Sequence, residues 1–439
     1  MLTPSSESHQ TNLFYTDLLA QLDPNDPLLL LAKQLPWDEF EQAFEKHYSA
    51  CFGRSAKPIR LMVGLLILKQ LENLSDEVVV VQFKRNPYYQ AFCGLKEFQR
   101  KEPCHSTELV KFRSRIGTEG VERIFKASVA LHGKYAEEKV VNVDTTVQEK
   151  FITYSTDGKL AIKIINRLLK LGELHGISRR RTYAKEIKGL RLDLRFFRHV
   201  KKRRKATRAI KRLRTIAGIL MRELERQLPT EVMAEQEETF AFYQKVLSQK
   251  KNDKDKVYSL HEPQVYCVAK GKDHKAYEYG AKASIVSTAK SNIIVGVASH
   301  AKNEHDSKTI ESALACVSRV RKMAPEKAVC DRGYRGIKQV GETQVVLPGA
   351  PLKRDSRYQK DKKRKQCRRR AAIEPIIGHL KSDYRLSRNY LKGHVGDEVN
   401  LLMAACAWNL KKWMNQATLL FCTLKIVRKI VNIIRIVLE

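Results

Sequence analysis

The chain has 439 residues, and its 82 Lys and Arg against 48 Asp and Glu give a net charge of +34. That length holds two or three domains with ample cores, and that sign of charge makes a polyanion the natural partner without separating DNA from RNA. Nine cysteines are scattered at 51, 93, 104, 267, 316, 330, 367, 406 and 422 with no C-x-x-C pair, which argues against a disulfide framework or a zinc module. The first residues, MLTPSSESHQ, have neither a basic start nor an apolar core, so secretion is not indicated and a cytoplasmic protein is expected.

Residues 1–12 are polar and expected to be mobile, and 13–135 alternate helical apolar stretches with short breaks, which predicts an all-helical N-terminal domain that binds DNA. Residues 59–71 form a helix candidate because Leu61, Leu65, Leu68 and Leu71 line one face, and Ser75 or Asp76 can cap the next helix. Asn86-Pro87 marks a turn. A further helix starts near Ser106 or Thr107 and runs through Leu109, Phe112 and Ile116, carrying Lys111, Arg113 and Arg115. Two readings of those cations stand, a DNA-end-binding helix face and a solvated basic face.

A strand over 139–145 opens a second domain at 136–415, which basic helical sequence interrupts at 159–256. The densest charge lies at 179–214, where Leu190, Leu194 and Phe197 keep an apolar stripe. The stripe favours folded helices presenting a phosphate-binding surface, Lys201, Lys202, Arg203 and Arg204 among it, over a merely solvated segment. Strand patterns return at 264–269, 277–286 and 293–299 as an antiparallel meander, followed by a helix over 306–323 with Ile310, Leu314 and Val317 at helical spacing. A strand then ends at Asp331, and 344–347 is a candidate fifth strand. Residues 354–370 are so rich in Lys and Arg that they read as a mobile loop able to order on DNA. At 416–439, Leu420, Leu424, Val427, Val431, Ile434 and Leu438 form a stripe opposite Lys425, Arg428, Lys429, Asn432 and Arg435, an amphipathic C-terminal helix. Those charges disfavour a transmembrane segment, and packing on the protein or on a dimer partner is expected ahead of a membrane surface.

Three acidic residues stand in distinct frames: Asp144 in VNVDTTVQEK, Asp331 in AVCDRGYRG and Glu374 in RRRAAIEPIIGHLK. The first two follow short apolar runs, so each carboxylate is expected to leave the end of a buried strand. Glu374 has a helical setting, with Arg370 four residues before it and Lys381 seven after, all on one face. Such carboxylates suit a hard cation. Each also has an ordinary reading: a turn-capping Asp, an Asx turn at Asp331, an ion pair between Arg370 and Glu374. Pro375 requires the helix to kink or to start there. His300, His305 and His379 match no zinc spacing, and carboxylates suit Mg²⁺ or Mn²⁺ instead. In the GYRG turn, Tyr334 and Arg335 are candidates to approach DNA, and Gly333 and Gly336 are expected to serve turn geometry.

In these frames the chain resembles the DDE transposases of bacterial insertion sequences, in the grouping with a Tyr, Arg, Glu, Lys signature separated by two, three and six residues. Arg370, Glu374 and Lys381 fit that spacing, and the Tyr position falls on Cys367. VDTTVQEK at 143–150, GKDHKAYEYGAK at 271–282, NEHDSKT at 303–309 and DRGYRG at 331–336 agree, Ser155 stands where the family usually carries Pro, and the resemblance covers 55–413. It implies an α/β, RNase H-like mixed sheet with Asp144 on its first strand and Asp331 on its fourth, the helical basic insertion hanging between the first two strands. It implies further that Asp144, Asp331 and Glu374 are catalytic and hold two Mg²⁺ or Mn²⁺ ions, while Arg370 and Lys381 position the phosphate. The expected function is cleavage and strand transfer at the ends of a mobile element. Expected partners are double-stranded DNA, as terminal inverted repeats and target, and a second copy of the chain, with no membrane. Two alternatives remain at this point: an RNase H-like structure-selective nuclease without strand transfer, and a catalytically inactive DNA-binding relic.

Overall fold

A computed structural model describes residues 17–49, 55–153, 156–178, 181–250, 252–270, 276–349 and 354–438. The predicted mobile segment 1–12, Ser155 and part of the 271–282 motif lie outside the described residues. The chain divides into two compact units, one taking 1–149 with 281–439 and the other Lys150–Gly280.

The first unit starts with short helices, several of them begun by a side-chain cap. Asp26 accepts from the Leu28 N–H at 2.8 Å and Pro27 opens α1, Pro27–Gln34. Trp37 opens α2, Trp37–Glu45, and its indole donates to the Ala32 carbonyl at 2.7 Å. The helix α3, Ile59–Leu71, is buried on nearly every side, Ile59, Met62, Val63, Leu66 and Ile67 as well as the expected leucines. A one-sided stripe was too narrow a reading, since a helix apolar all round belongs in the middle of a core. Ser75 caps α4, Asp76–Phe83, and Asn86 caps α5, Pro87–Phe92. His105, rather than Ser106 or Thr107, caps α6, Ser106–Ala130, its ring nitrogen accepting from the Thr107 N–H at 3.3 Å. Gly117, at φ 59° and ψ −164°, breaks α6 in the middle.

After α6 the strand β1, Val140–Glu149, continues past the predicted end at 145. The extension is possible because its buried polar residue is satisfied: Gln148 donates to the Asp397 carbonyl at 3.0 Å and accepts from Asn400 at 2.6 Å.

The second unit is built on four helices: α7, Asp157–Leu174; α8, Ala184–Asp193; α9, Arg203–Gln227; and α10, Thr230–Ser248. Its core joins Leu160, Ile164 and Leu168 to Leu213, Ile216 and Leu220 and to Phe240 and Tyr243. Of the stripe expected at Leu190, Leu194 and Phe197, Leu190 and Leu194 are half-buried against this core, while Phe197 is 49 % exposed. Most of the core on that side comes from α9, where Ala206, Ala209, Leu213, Ile216, Leu220 and Leu224 recur at helical spacing. The strand β2, Tyr266–Ala269, pairs antiparallel with residues 277–280.

The remaining strands complete the sheet of the first unit. They are β3, Tyr277–Thr288; β4, Ile294–His300; β5, Lys327–Val329; β6, Gln339–Val340; and β7, Thr343–Val346. Neighbours run β3-β1-β5-β7-β6, with β4 antiparallel on β3, while β1, β5 and β7 are parallel to one another. Between β4 and β5 lies α11, Asp306–Arg321, closed by Lys322 in the left-handed region at φ 56°.

Residues 354–370 are not a loop. They form α12, Arg357–Arg370, begun by a capping box in which Ser356 and Gln359 satisfy each other's backbone N–H. Lys, Arg and Gln are good helix formers, so one favourable cap outweighs the like charges. The helix α13, Ile373–Ser382, starts two residues before Pro375, which settles the kink-or-start alternative as a start. Last comes α14, Gly393–Leu438, an unbroken backbone helix with no boundary at 416. The side chains of the stripe Leu420, Leu424, Val427, Val431, Ile434 and Leu438 lie outside the described residues.

The helices expected to form a domain of their own at 13–135 share one core with the sheet. Leu31, Phe44, Leu65 and Phe112 belong to the same apolar cluster as Val141, Ile285, Val317 and Leu410. Among the described residues no helix is long and apolar enough to cross a membrane.

Candidate active site

The parallel pairing of β1 with β5 ends at Asn142 opposite Val329. Two residues further on each chain stand Asp144 and Asp331. A strand repeats its facing every second residue, and ligands of open α/β sheets gather at the carboxyl ends of parallel strands. Asp144 lies within its strand, not at its end as expected, while Asp331 does stand just past the end of its strand, after Cys330. Asp144 Oδ1 accepts from the Thr145 N–H at 2.8 Å, and Asp331 Oδ1 accepts from the Gly333 N–H at 2.8 Å. The Asx turn at Asp331 is thus real and uses one of its carboxylate oxygens.

Arg370, the last residue of α12, joins two of the three acids. Its Nη1 lies 3.2 Å from Asp144 Oδ2 and its Nη2 3.5 Å from Glu374 Oε1. Arg370 and Asp144 are largely buried, at 17 % and 16 % side-chain exposure, whereas the Glu374 side chain is 65 % exposed. The ordinary i,i+4 pair is present, but the same guanidinium also reaches a strand 226 residues away in sequence. Lys381 is half-buried in the last turn of α13, on the face of Glu374 and about 10 Å along the axis from it. Cys367, half-buried one turn before Arg370, has its thiol pushed up by burial against the opposing charge of Arg370.

Burial pushes the Asp144 carboxyl up to about 6; the Thr145 N–H and Arg370 oppose the rise, and the charges of Asp331 and Glu374 add to it. Burial raises the Cys330 thiol as well, with Asp331 and Asp144 contributing. Two of the three carboxylates thus share one guanidinium, and the donors all three offer are hard oxygens. That chemistry fits a divalent cation held by Asp144, Asp331 and Glu374. In the conformation described the three are not drawn into one coordination sphere: no three described His, Cys, Asp or Glu side chains stand close enough to hold a metal ion.

One carboxylate was not anticipated. Asp306, the first residue of α11, accepts through Oδ1 from the Thr145 hydroxyl at 2.9 Å and from Lys282 Nζ at 3.0 Å. A Cβ on Gly333 would meet Asp306 Oδ2 and Asp331 Oδ1, each at 2.9 Å. Gly333 is therefore there for close approach, while Gly336, at φ +99°, serves the turn as expected. NEHDSKT gave no sign of this beyond a helix start. Tyr334, expected near DNA, is fully buried, with burial pushing its phenol up.

The other expected cations separate. Arg113 is a correction: its guanidinium is 8 % exposed and holds Asp76 through both oxygens at 2.8 and 2.6 Å, beside Lys69 at 2.9 Å. On α6 it follows buried Phe112 and faces α4, so helical phase turns it inward. Burial raises the Asp76 carboxyl, yet Arg113 and Lys69 together outweigh burial and bring it down to about 2. Lys69, which shares one anion with a second cation, is lowered to about 8 by burial and by Arg113. Lys111 and Arg115 are exposed; Lys111 pairs with Glu108 at 3.2 Å and Arg115 lies over the Tyr48 ring at 4.4 Å. Lys201, Lys202, Arg203 and Arg204 are all exposed at the start of α9, Lys202 lying over Phe196 and Arg203 over Phe197. The histidines have structural partners: His300 with Ser284 at 2.8 Å, His305 capping α11, and His379 with Asp383 at 2.8 Å.

Comparison with known proteins places the chain in a family. Residues 16–115 match the family described as "Transposase domain (DUF772)", and residues 246–410, which include Asp331 and Glu374, match "Transposase DDE domain". A protein of Rhizobium meliloti, "Uncharacterized protein ORF8 in nfe locus", is 39 % identical over 206 residues, 46 % of this chain and 99 % of that protein. No solved structure matches. The transposase DDE domain is RNase H-like, its members generally use divalent metal ions, and the α/β architecture with a mixed sheet agrees with that class: the chain belongs to the insertion-sequence DDE transposases and acts on DNA.

Proposed function

We propose that Asp144, Asp331 and Glu374 form the active site of this transposase, and that it cleaves DNA and transfers strands at the ends of its element. The observation that carries the reading is Arg370, which links Asp144 on the first strand to Glu374 on α13 beside the turn of Asp331. Mg²⁺ or Mn²⁺, two ions in this reading, bound by the three carboxylates would supply Lewis acidity at the scissile phosphate.

The chain's own residues do the rest. Burial of Asp144 keeps bulk water from one side of the site and strengthens every charge interaction there. Arg370 and Lys381 offset the negative charge of a phosphate brought to the carboxylates, and Arg370 does so from a position already held by two of them. Backbone affinity comes from exposed cations outside the site, Lys201, Lys202, Arg203 and Arg204, with Lys111 and Arg115. Arg113 is not among them. A homodimer, with the amphipathic sequence at 416–439 as its interface, would bring two element ends together.

The test is a strand-transfer assay in Mg²⁺ with labelled element-end duplex and supercoiled plasmid. Joining of the labelled 3′ end to the plasmid is expected. Cleavage without joining would support the nuclease alternative, and binding without cleavage the relic.

A further inference from the structure

We propose that Asp306 is a positioning residue for the active site, holding the backbone on which Asp144 and Asp331 are mounted. The inference rests on the reading of those two residues as catalytic. Asp306 hydrogen-bonds Thr145, the residue after Asp144, and closely approaches Gly333, two residues after Asp331. Through Oδ1 it accepts from the hydroxyl of Thr145, at 2.9 Å, and the Thr145 N–H in turn donates to Asp144 Oδ1 at 2.8 Å. Its Oδ2 faces Gly333, whose N–H donates to Asp331 Oδ1 at 2.8 Å. One carboxylate thus lies against two segments distant in sequence, hydrogen-bonded to Thr145 within β1 and in close approach to the Gly333 turn after β5.

Three features make Asp306 rigid enough for the task. It sits in the first turn of the 16-residue helix α11, where an anion is favoured by the free N–H groups. Lys282 of β3 holds it at 3.0 Å, and the same ammonium donates to the Glu304 carbonyl, so strand and helix start are tied together. The third is the absence of a side chain at 333, since a Cβ there would lie 2.9 Å from both Asp306 Oδ2 and Asp331 Oδ1. The two acids approach each other across a glycine, and the spacing of Asp331 from Asp306 depends on it. Partners of this kind fix the orientation of metal-binding and reacting groups, and their loss typically costs about 10- to 100-fold in metal affinity or activity.

The experiment compares Asp306→Ala, Asp306→Asn, Gly333→Ala and Thr145→Val in the full chain. Mn²⁺ binding without DNA is read by electron paramagnetic resonance, kcat and KM for element-end cleavage are measured, and DNA affinity and thermal melting are followed in parallel. Asp306→Ala is expected to weaken Mn²⁺ binding and lower kcat by about 10- to 100-fold, with KM and DNA affinity within about twofold. Asp306→Asn keeps an acceptor for the Thr145 hydroxyl and should recover part of the loss. Thr145→Val, which keeps the shape and removes the hydroxyl, should show a smaller loss in the same direction and decides the matter if Asp306→Ala does not fold. Unchanged Mn²⁺ binding and kcat in Asp306→Ala, or in Thr145→Val should the former not fold, overturn the inference. So does a loss that tracks the fall in melting temperature and DNA affinity. Asp144→Asn is run alongside: wild-type cleavage by that variant would sink the underlying site, whereas an inactive Asp144→Asn beside a wild-type Asp306→Ala would sink the bracing role only.

Discussion

Asp144→Asn should make the metal-free protein more stable while removing its activity. Burial, with the charges of Asp331 and Glu374, raises the Asp144 carboxyl from an ordinary 3.8 to about 6. The folded state therefore holds a proton that the unfolded chain releases, and stability falls as pH rises between about 4 and 6. Two pKa units correspond to an upper figure of ~3 kcal/mol. That figure is already net of Arg370, whose charge opposes the rise and which keeps Glu374 as a partner at 3.5 Å in the variant. A gain of up to ~3 kcal/mol is expected above pH 7, shrinking as pH falls toward 4, where the carboxyl is protonated in the folded state and increasingly so in the unfolded one. Urea melts of both proteins in EDTA across pH 4 to 8 measure it. A variant no more stable than the parent at pH 8, or a difference that does not change with pH, would refute the reasoning.

Three further outcomes follow from the geometry. Arg113→Ala should destabilise the first unit by about 3–5 kcal/mol in urea melts, because Asp76 would keep Lys69 alone as its buried counter-charge; a cost under ~0.5 kcal/mol would return Arg113 to the surface reading. Neutralising Lys201, Lys202, Arg203 and Arg204 should weaken binding to element-end and random duplexes alike and flatten the salt dependence by up to about 0.9 log unit per lost phosphate contact; an unchanged slope would make the cluster a solvated face. Truncation at Gln416 should convert a dimer to a monomer in light scattering, and an unchanged dimer would place the interface elsewhere.

Much of the site was legible because each acid is marked by local sequence. Asp331 follows a run of apolar β-structure and precedes Gly333, and Arg370, Glu374 and Pro375 stand at fixed spacing on helical sequence. What escaped depends on contacts between distant segments. The strand carrying Asp144 runs on to Glu149 because Asp397 and Asn400, some 250 residues later, satisfy Gln148. Arg113 looked like its neighbours Lys111 and Arg115; helical phase turns it inward with Phe112, and Asp76, distant in sequence, supplies the partner that lets the charge be buried. The basic stretch before Arg370 was read by charge alone, and the capping box of Ser356 and Gln359 outweighs that charge. Asp306 lay in the NEHDSKT motif, but nothing near it in sequence hints at Thr145, Lys282 or Gly333 as its neighbours.

The central claim is that Asp144, Asp331 and Glu374 act together in cutting DNA, and the most direct measurement is Mg²⁺- or Mn²⁺-dependent cleavage of an element-end duplex by Asp144→Asn, Asp331→Asn and Glu374→Gln. Each substitution removes one ligand charge and leaves the exposed cations of α9 and α6 untouched. Cleavage should fall below detection in all three, with DNA affinity within about twofold of the parent, because phosphate contacts supply that affinity. Cleavage at the parental rate by any one of them would remove that residue from the site and contradict the account.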